Sequence, residues 1–579
     1  MATPVSARPA GPISALVGLV GVAALALLPP TAAFAAVPCH ISRFELPVTM
    51  VGLRPTVAAR INGIEVRFTV DSGAAFSMIA PAAADRLGLV QTMAPWGLFM
   101  DGVGGSIDIH IARVEHFEIN KLEVPRLPFI VGGNEVGANT VGLLGQNFLG
   151  LWDVEYDLAH GAVRLMRIAG DCDDTNLAYW AGDKPVIVLD LERLRGQKHT
   201  LAEAEINGRK LRALLDTGAA GSLLSKSAAR RAGIVPGGPD VVAGGPLRGA
   251  GSALVPSWIG PVTSFKIGGE TIRNTRIRFA DIDLQNIDLL LGADFMVSHR
   301  IYVSNAQRKI YMTYEGGQVF AIALPPRVAP AASAPDASEA DAETPGDADG
   351  YTRRGAAHAS RREFELALAD LDRACAMDPQ AAAAFRLRAR VQRELHRADR
   401  ALAEYGTAIG LQPADAEARI ERAELLLSRG DRSAALIDLG AAQQALAPQD
   451  DLHREVGDLL LGAQRPELAL AQYDLWIAAH REEVTLPAVQ ARRCWTRLLL
   501  GTEIDKARRD CRDALHVEPK LALALYGRGL IELREGATAA GNADLAAARA
   551  LDPGIEAAAR RGGIAPAAPA SAASAAPAT

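Results

Sequence analysis

Aromatic residues make up only 5% of the 579-residue chain, and there are just five cysteines. So few rings give no platform for base stacking, and a net charge of −6 over this length concentrates no basic patch for nucleic acid. No Cys-x-x-Cys pair is present, so zinc-ribbon and thioredoxin-like chemistry have no basis. The chain also lacks a Gly-x-Ser-x-Gly elbow, a His-Glu-x-x-His pair and a Gly-Lys-Ser/Thr phosphate loop, and its eleven histidines are scattered. Neither a metal nor a cofactor is expected. After the first 36 residues no apolar run approaches the roughly 20 residues needed to cross a bilayer.

What the chain has instead is a duplication. Residues 61–79 run from an Asn-Gly turn through an apolar strand to Asp71-Ser72-Gly73-Ala74, and residues 206–224 run the same way to Asp216-Thr217-Gly218-Ala219. The two aspartates lie 145 positions apart, and so do the turns at Asn62 and Asn207. Asn-Gly between apolar runs is the strongest short hairpin signal. The parallel continues with helix-like segments at 81–89 and 227–233, then Gly-rich reaches at 97–106 (Gly102, Gly104) and 242–254 (Gly244, Gly245). Each copy closes with an apolar-apolar-Gly-x-Asn/Asp-aromatic segment, at Gly145 and Gly292, and a last hairpin. A single Asp-Ser/Thr-Gly would be an ordinary turn, because aspartate accepts backbone N–H bonds and glycine tolerates positive φ. Its recurrence inside a repeated all-β unit predicts instead that two carboxylates meet.

The flanks are different in kind. Residues 1–35 read as a signal peptide: Arg8, an apolar stretch over 13–28, then Ala33-Phe34-Ala35 as a cleavage site, with a retained anchor as the alternative. Export, into a bacterial periplasm, is the expectation, with no membrane span after cleavage. That setting permits disulfides. Cys39 and Cys172 bracket the first unit, so a bridge between them would staple its two ends. The chain divides into lobe 1 at 36–170, lobe 2 at 171–322, an acidic Pro/Ala/Ser linker at 323–349, a helical region at 350–560 and a low-complexity tail at 561–579. In the helical region Pro379, Pro413, Pro448, Pro519 and Pro553 recur at intervals of 34, 35, 71 and 34.

Two resemblances follow from these residues. The segments Val70–Ala74 with 143–147, and Leu215–Ala219 with 290–294, resemble the retropepsin-like aspartic peptidases. That likeness implies an acid-protease double domain in which Asp71 and Asp216 are catalytic. Ser72 and Thr217 would tie the two loops together, Gly73, Ala74, Gly218 and Ala219 would support them, and the two Gly-rich reaches would be flaps. Neither reach carries the tyrosine usual on a pepsin flap, which favours the retropepsin branch. The 34-residue period, with Tyr351, Gly355, Ala367, Leu371, Ala374 and later Phe385, Ala389, Ala401, Tyr405, Ala408, resembles the tetratricopeptide repeat. It implies an all-α solenoid that takes a protein partner, with Cys494 and Cys511 on opposite helices of its fifth repeat. The combined expectation is an exported aspartic endopeptidase acting on polypeptides as a monomer, its site formed between lobes. Two alternatives stay open: a homodimer pairing like lobes, and a non-catalytic peptide-binding scaffold.

Overall fold

A computed structural model describes residues 39–95, 100–134, 137, 139–193, 199–251, 253–284, 286–320 and 344–561. The segment read as a signal peptide, most of the linker, the tail from 562 and the start of the first Gly-rich reach lie outside the described residues.

Lobe 1 begins with the hairpin Arg54–Ile61 and Ile64–Val70, turned by Asn62 and Gly63 at φ 49° and 84°. Lobe 2 repeats it with Leu201–Ile206 and Arg209–Leu215, turned by Asn207 and Gly208 at φ 50° and 77°. Positive φ at both central residues is what a two-residue primed turn requires, and Asn-Gly meets it at little steric cost. Each hairpin then receives a parallel strand from much later in the chain, Gly142–Leu144 on Ile64–Val70 and Leu289–Leu291 on Arg209–Leu215. The barrels close through Arg54–Ile61 with Ile109–Ile119 in lobe 1, and Leu201–Ile206 with Val255–Ile267 in lobe 2. Four rings, Phe68, Phe117, Phe129 and Phe148, fill the first barrel with centroids 5.5–6.0 Å apart.

Some strands run longer than their apolar stretches suggest. Glu270–Ala280 carries arginines at 273, 276 and 278 yet pairs along its length with Val255–Ile267, because one face of this arm is exposed and tolerates charge.

The closing hairpins do not stay within their own lobes. They join in a six-stranded sheet of order His40–Pro47, Ala162–Ala169, Asp153–Asp157, His299–Ser304, Lys309–Tyr314, Ile187–Asp190. The lobes meet at Asp153–Asp157 and His299–Ser304, with Tyr156 opposite Ile301. Cys39 and Cys172 are bonded, at a Cα separation of 4.8 Å, beside the edge pair where His40 faces Ala169.

The α region is six antiparallel helix pairs, from Ala348–Ser360 with Phe364–Met377 to Ala522–Arg534 with Thr538–Leu551, and a last helix Ile555–Arg561. The first helix starts inside the stretch read as linker: Asp347 accepts the Gly350 N–H at 2.7 Å and is its N-cap, not a linker acid. Small residues sit where paired helices touch, and a Cβ on Gly457 would stand 2.7 Å from the Tyr473 ring. Cys494 and Cys511 are bonded across the fifth pair, against Gly527, which has no room for a side chain. Among the described residues no helix is long and apolar enough to cross a membrane.

Candidate active site

Asp71 and Asp216 each stand one residue beyond the end of an apolar strand, with backbone N–H groups donating to Leu144 O at 3.0 Å and Leu291 O at 2.9 Å. The late parallel strand therefore fixes the height of each aspartate. One oxygen of each carboxylate is held by its own loop. Asp71 Oδ1 accepts from Gly73 and Ala74 N–H at 2.9 and 2.8 Å, and Asp216 Oδ1 from Gly218 and Ala219 N–H at 3.0 and 3.1 Å.

The loops are locked together by the residues after the aspartates. Ser72 Oγ donates to Leu215 O at 2.7 Å and accepts the Thr217 N–H at 3.0 Å; Thr217 Oγ1 donates to Val70 O at 2.7 Å and accepts the Ser72 N–H at 2.9 Å. Both side chains are completely buried, so each hydroxyl satisfies two groups that would otherwise be stranded. Glycine at 73 and 218 is a steric requirement: a Cβ on either would overlap the carboxylate of the opposite aspartate.

The electrostatics follow from this closeness. Burial, then the charge of Asp216, raises the pKa of Asp71 well above the ordinary carboxylate range, and burial raises that of Asp216. Two buried carboxyl groups this close cannot both ionise readily, so near neutral pH they share one proton.

Gly145 and Gly292 begin the closing turns, where Gln146 and Ala293 N–H donate to Ala74 O and Ala219 O at 2.9 and 2.7 Å. A side chain on either glycine would strike the backbone of the opposing turn. Further support comes from residues not singled out by sequence as a pair. Ser77 donates to Asn147 Oδ1 at 2.7 Å from both N–H and Oγ, and Ser222 does the same to Asp294 Oδ1 at 2.8 and 2.7 Å. Gln146 Nε2 donates to Ser72 O at 2.8 Å, and His199, its pKa lowered by burial and Arg193, hydrogen-bonds the backbone of Gly73.

The Asn147/Asp294 difference sets up a prediction. Burial raises the Asp294 pKa to about 6, and the native state therefore holds a proton that the unfolded chain has lost between roughly pH 4 and 6. Stability falls as pH rises through that window, and the full penalty is present above it. Asp294→Asn, which copies lobe 1, is expected to be near neutral at pH 4 and to stabilise by up to about 3 kcal/mol at pH 7. Denaturation midpoints at the two pH values check this.

Gly102 and Gly104 lie on the short hairpin Met100–Gly102 and Gly105–Ile107, and Gly244 and Gly245 on the rising strand Val242–Leu247 of the second hairpin, at a bulge. The second tip is beyond them, at 248–254. The tips touch: Gly251 N–H donates to Val103 O at 3.0 Å and Ala253 N–H to Gly104 O at 2.9 Å.

Two stretches, 57–148 and 202–295, match the family described as aspartyl protease. They are the two barrels, and each contains one aspartate of the pair and its closing glycine. No curated protein matches the chain. Solved structures overlap the helical region. YrrB, described as a TPR protein with an unusual peptide-binding site, is 18% identical, with 33% of this chain and 96% of that one covered at TM-score 0.29. PilF of Pseudomonas aeruginosa is 20% identical, covering 37% and 97% at TM-score 0.31, and MamA is 14% identical, covering 29% and 95% at TM-score 0.25. The chain joins two tandem barrels that match the aspartyl protease family to a run of six antiparallel helix pairs.

Proposed function

We propose that this protein is an exported aspartic endopeptidase that hydrolyses peptide bonds with water activated between Asp71 and Asp216, and that the helical repeats recruit a protein partner or present the substrate. The observation that carries the reading is the mutual lock of Ser72 and Thr217, which holds two proton-sharing carboxyl groups against each other's loops. Neither ingredient serves a passive binding surface, since burying two carboxyl groups together costs stability.

In the proposed reaction the ionised carboxylate takes a proton from water while the water oxygen bonds to the scissile carbonyl carbon. The protonated carboxyl gives its proton to the carbonyl oxygen, and a neutral tetrahedral diol results. Breakdown returns a proton to the amide nitrogen as the C–N bond breaks, leaving a carboxyl and an amine product. No covalent intermediate with the protein forms. The hairpins 100–107 and 242–254 would exclude bulk water from this step.

A single-chain site is supported by charge. Glu155 of lobe 1 lies opposite Tyr302 of lobe 2, the equivalent position 147 residues on, and pairs with the nearby Arg300 at 2.7 Å. Pairing lobe 1 with its own copy would set Glu155 opposite Glu155 in a buried sheet, without the Arg300 that lobe 2 supplies. Export is supported by the N-terminal segment together with two disulfides.

The test is cleavage of an unfolded polypeptide such as casein by the full chain between pH 3 and 7, with binding of a statine-type inhibitor. Cleavage blocked by the inhibitor is expected. Absence of both activities would overturn the reading in favour of a peptide-binding scaffold.

A further inference from the structure

Beyond its first helix pair, which packs against both lobes, the helical region touches lobe 1 along one edge. The ends of successive helix pairs supply Glu417, Asp450 and Val484, at nearly the repeat spacing. Glu417 Oε1 accepts from Asn139 Nδ2 at 2.6 Å and pairs with Arg67 at 3.6 Å; Asp450 pairs with Arg86 at 3.6 Å. The third contact is different in kind. Val484 N–H, in the loop between Pro466–Ala479 and Leu486–Leu500, donates to Asn134 Oδ1 at 2.8 Å. The same amide then donates from Nδ2 to Gly249 O and to Gly251 O, both at 2.7 Å, at the tip of the lobe 2 flap.

Asn134 is 8% exposed and belongs to neither the flap nor the solenoid. Both of its N–H donors go to the flap, and its oxygen is oriented by the solenoid. The amide therefore has one orientation that serves all three bonds. Rotating it to follow a shifted solenoid loop would turn its oxygen toward the flap carbonyls, where only repulsion is available. The flap tip is meanwhile bonded to Val103 and Gly104 of the other flap, so both hairpins share this support. Gly133, next to Asn134, has Ala250 O within 3.3 Å of where a Cβ would stand, which leaves no slack between the turn and the tip.

We infer that Asn134 is a positioning residue through which the helical repeats hold the flaps over the cleft closed, so that displacement of the 480–485 loop by a partner protein releases the lobe 2 flap. This rests on reading 242–254 as a flap over a peptidase cleft. A polypeptide must enter beneath the flaps, so this support would set how often the cleft opens. The coupling is reciprocal: a ligand that closes the flaps steadies the docked solenoid edge.

Amide hydrogen exchange on the full chain, without substrate, tests this directly. Three variants separate the links. Asn134→Asp keeps the acceptor for Val484 but loses both donors to the flap. Val484→Pro removes the N–H donor and leaves the Asn134 amide and the flap carbonyls in place. Arg67→Glu sets two carboxylates together at Glu417 and leaves Asn134 and the flap untouched. All three are expected to speed exchange of the Gly251 and Ala253 amides, Asn134→Asp by roughly tenfold or more, from two lost bonds. Exchange in the barrel strand Ile64–Val70 is expected to stay at the wild-type rate. Wild-type flap exchange in Asn134→Asp would overturn the latch. Faster exchange in Asn134→Asp with wild-type rates in both Val484→Pro and Arg67→Glu would overturn the role of the solenoid. Because the readout needs no turnover, a chain that cleaves nothing would sink the peptidase reading while leaving the latch to be judged. If it does cleave, Asn134→Asp should change KM and kcat together and leave the pH profile in place, as expected for a group outside the proton chemistry.

Discussion

Asp71→Asn is expected to lower kcat/KM for peptide cleavage by at least about a thousandfold, and Asp216→Asn to do the same. The double variant should be little worse than either single one, because the carboxyl groups act as a unit. Retention of about half the activity in each single variant would instead indicate two sites in a homodimer. The pH profile is expected to be bell-shaped. It falls on the acid side as the second carboxyl takes a proton, and on the alkaline side as the shared proton leaves. Burial raises both groups, and the charge of Asp216 adds to it at Asp71, so the alkaline limb should lie above the ordinary carboxylate range. The same shifts carry a stability cost. With folded pKa values above the unfolded ones, the native chain loses stability as pH rises through the raised values. Asp71→Asn removes one member of the pair and should unfold at higher temperature than wild type near neutral pH, while inactive. A variant both inactive and less stable would mean that the loss came from misfolding.

Breaking the charge cluster in the cross-lobe sheet is expected to cost about 3–5 kcal/mol, the usual result of leaving one buried charge without its partner. Glu155 is fully buried. It accepts from Arg164 Nη1 at 2.5 Å, Arg300 Nε at 2.8 Å and the Tyr179 hydroxyl at 2.5 Å. Asp157 lies on the same cluster. Although burial opposes its ionisation, His160, Arg300 and Arg164 lower its pKa below the usual carboxylate range. Glu155→Leu leaves the two buried guanidinium groups to share Asp157, and Arg300→Met leaves Glu155 and Asp157 to share Arg164, so each single change leaves one excess buried charge at the lobe boundary. The double variant Glu155→Leu/Arg300→Met should lose less than the sum of the two, since the charge that each single change strands is then absent. Denaturant titrations of the four proteins measure this coupling. Additive losses would show that the pair contributes nothing across the lobe boundary. Activity should fall in the single variants under conditions where each barrel remains folded, because the dyad exists only while the lobes are joined.

Much of the site was legible because its pieces are local. Asn62-Gly63 and Asn207-Gly208 set their turns by backbone conformation alone, and Asp-Ser/Thr-Gly-Ala loops bond to themselves over two and three residues. The Ala-x-x-Ser after each aspartate and the Asn or Asp after each closing glycine were also visible as repeated letters. Their partnership, Ser77 with Asn147 and Ser222 with Asp294, was not, since it spans 70 and 72 residues and leaves no periodic trace. His199 and Asn134 carried no signal at all: one polar residue in a turn has no pattern until its neighbours are known.

The sequence by itself determined that a strand, an aspartate and a glycine loop occur twice in register, that the helical half repeats every 34 or so residues, and where the turns fall. Those features rest on φ preferences, side-chain volume and hydrophobic period, which act within a few residues. Only the tertiary structure decided that the two loops interlock through Ser72 and Thr217, that the closing hairpins of both lobes share one sheet, and that the solenoid reaches the flap through Asn134. Each of these is a contact across 115 to 350 residues, made by hydrogen bonds and buried charges whose partners are selected by the folded surfaces that bring them together.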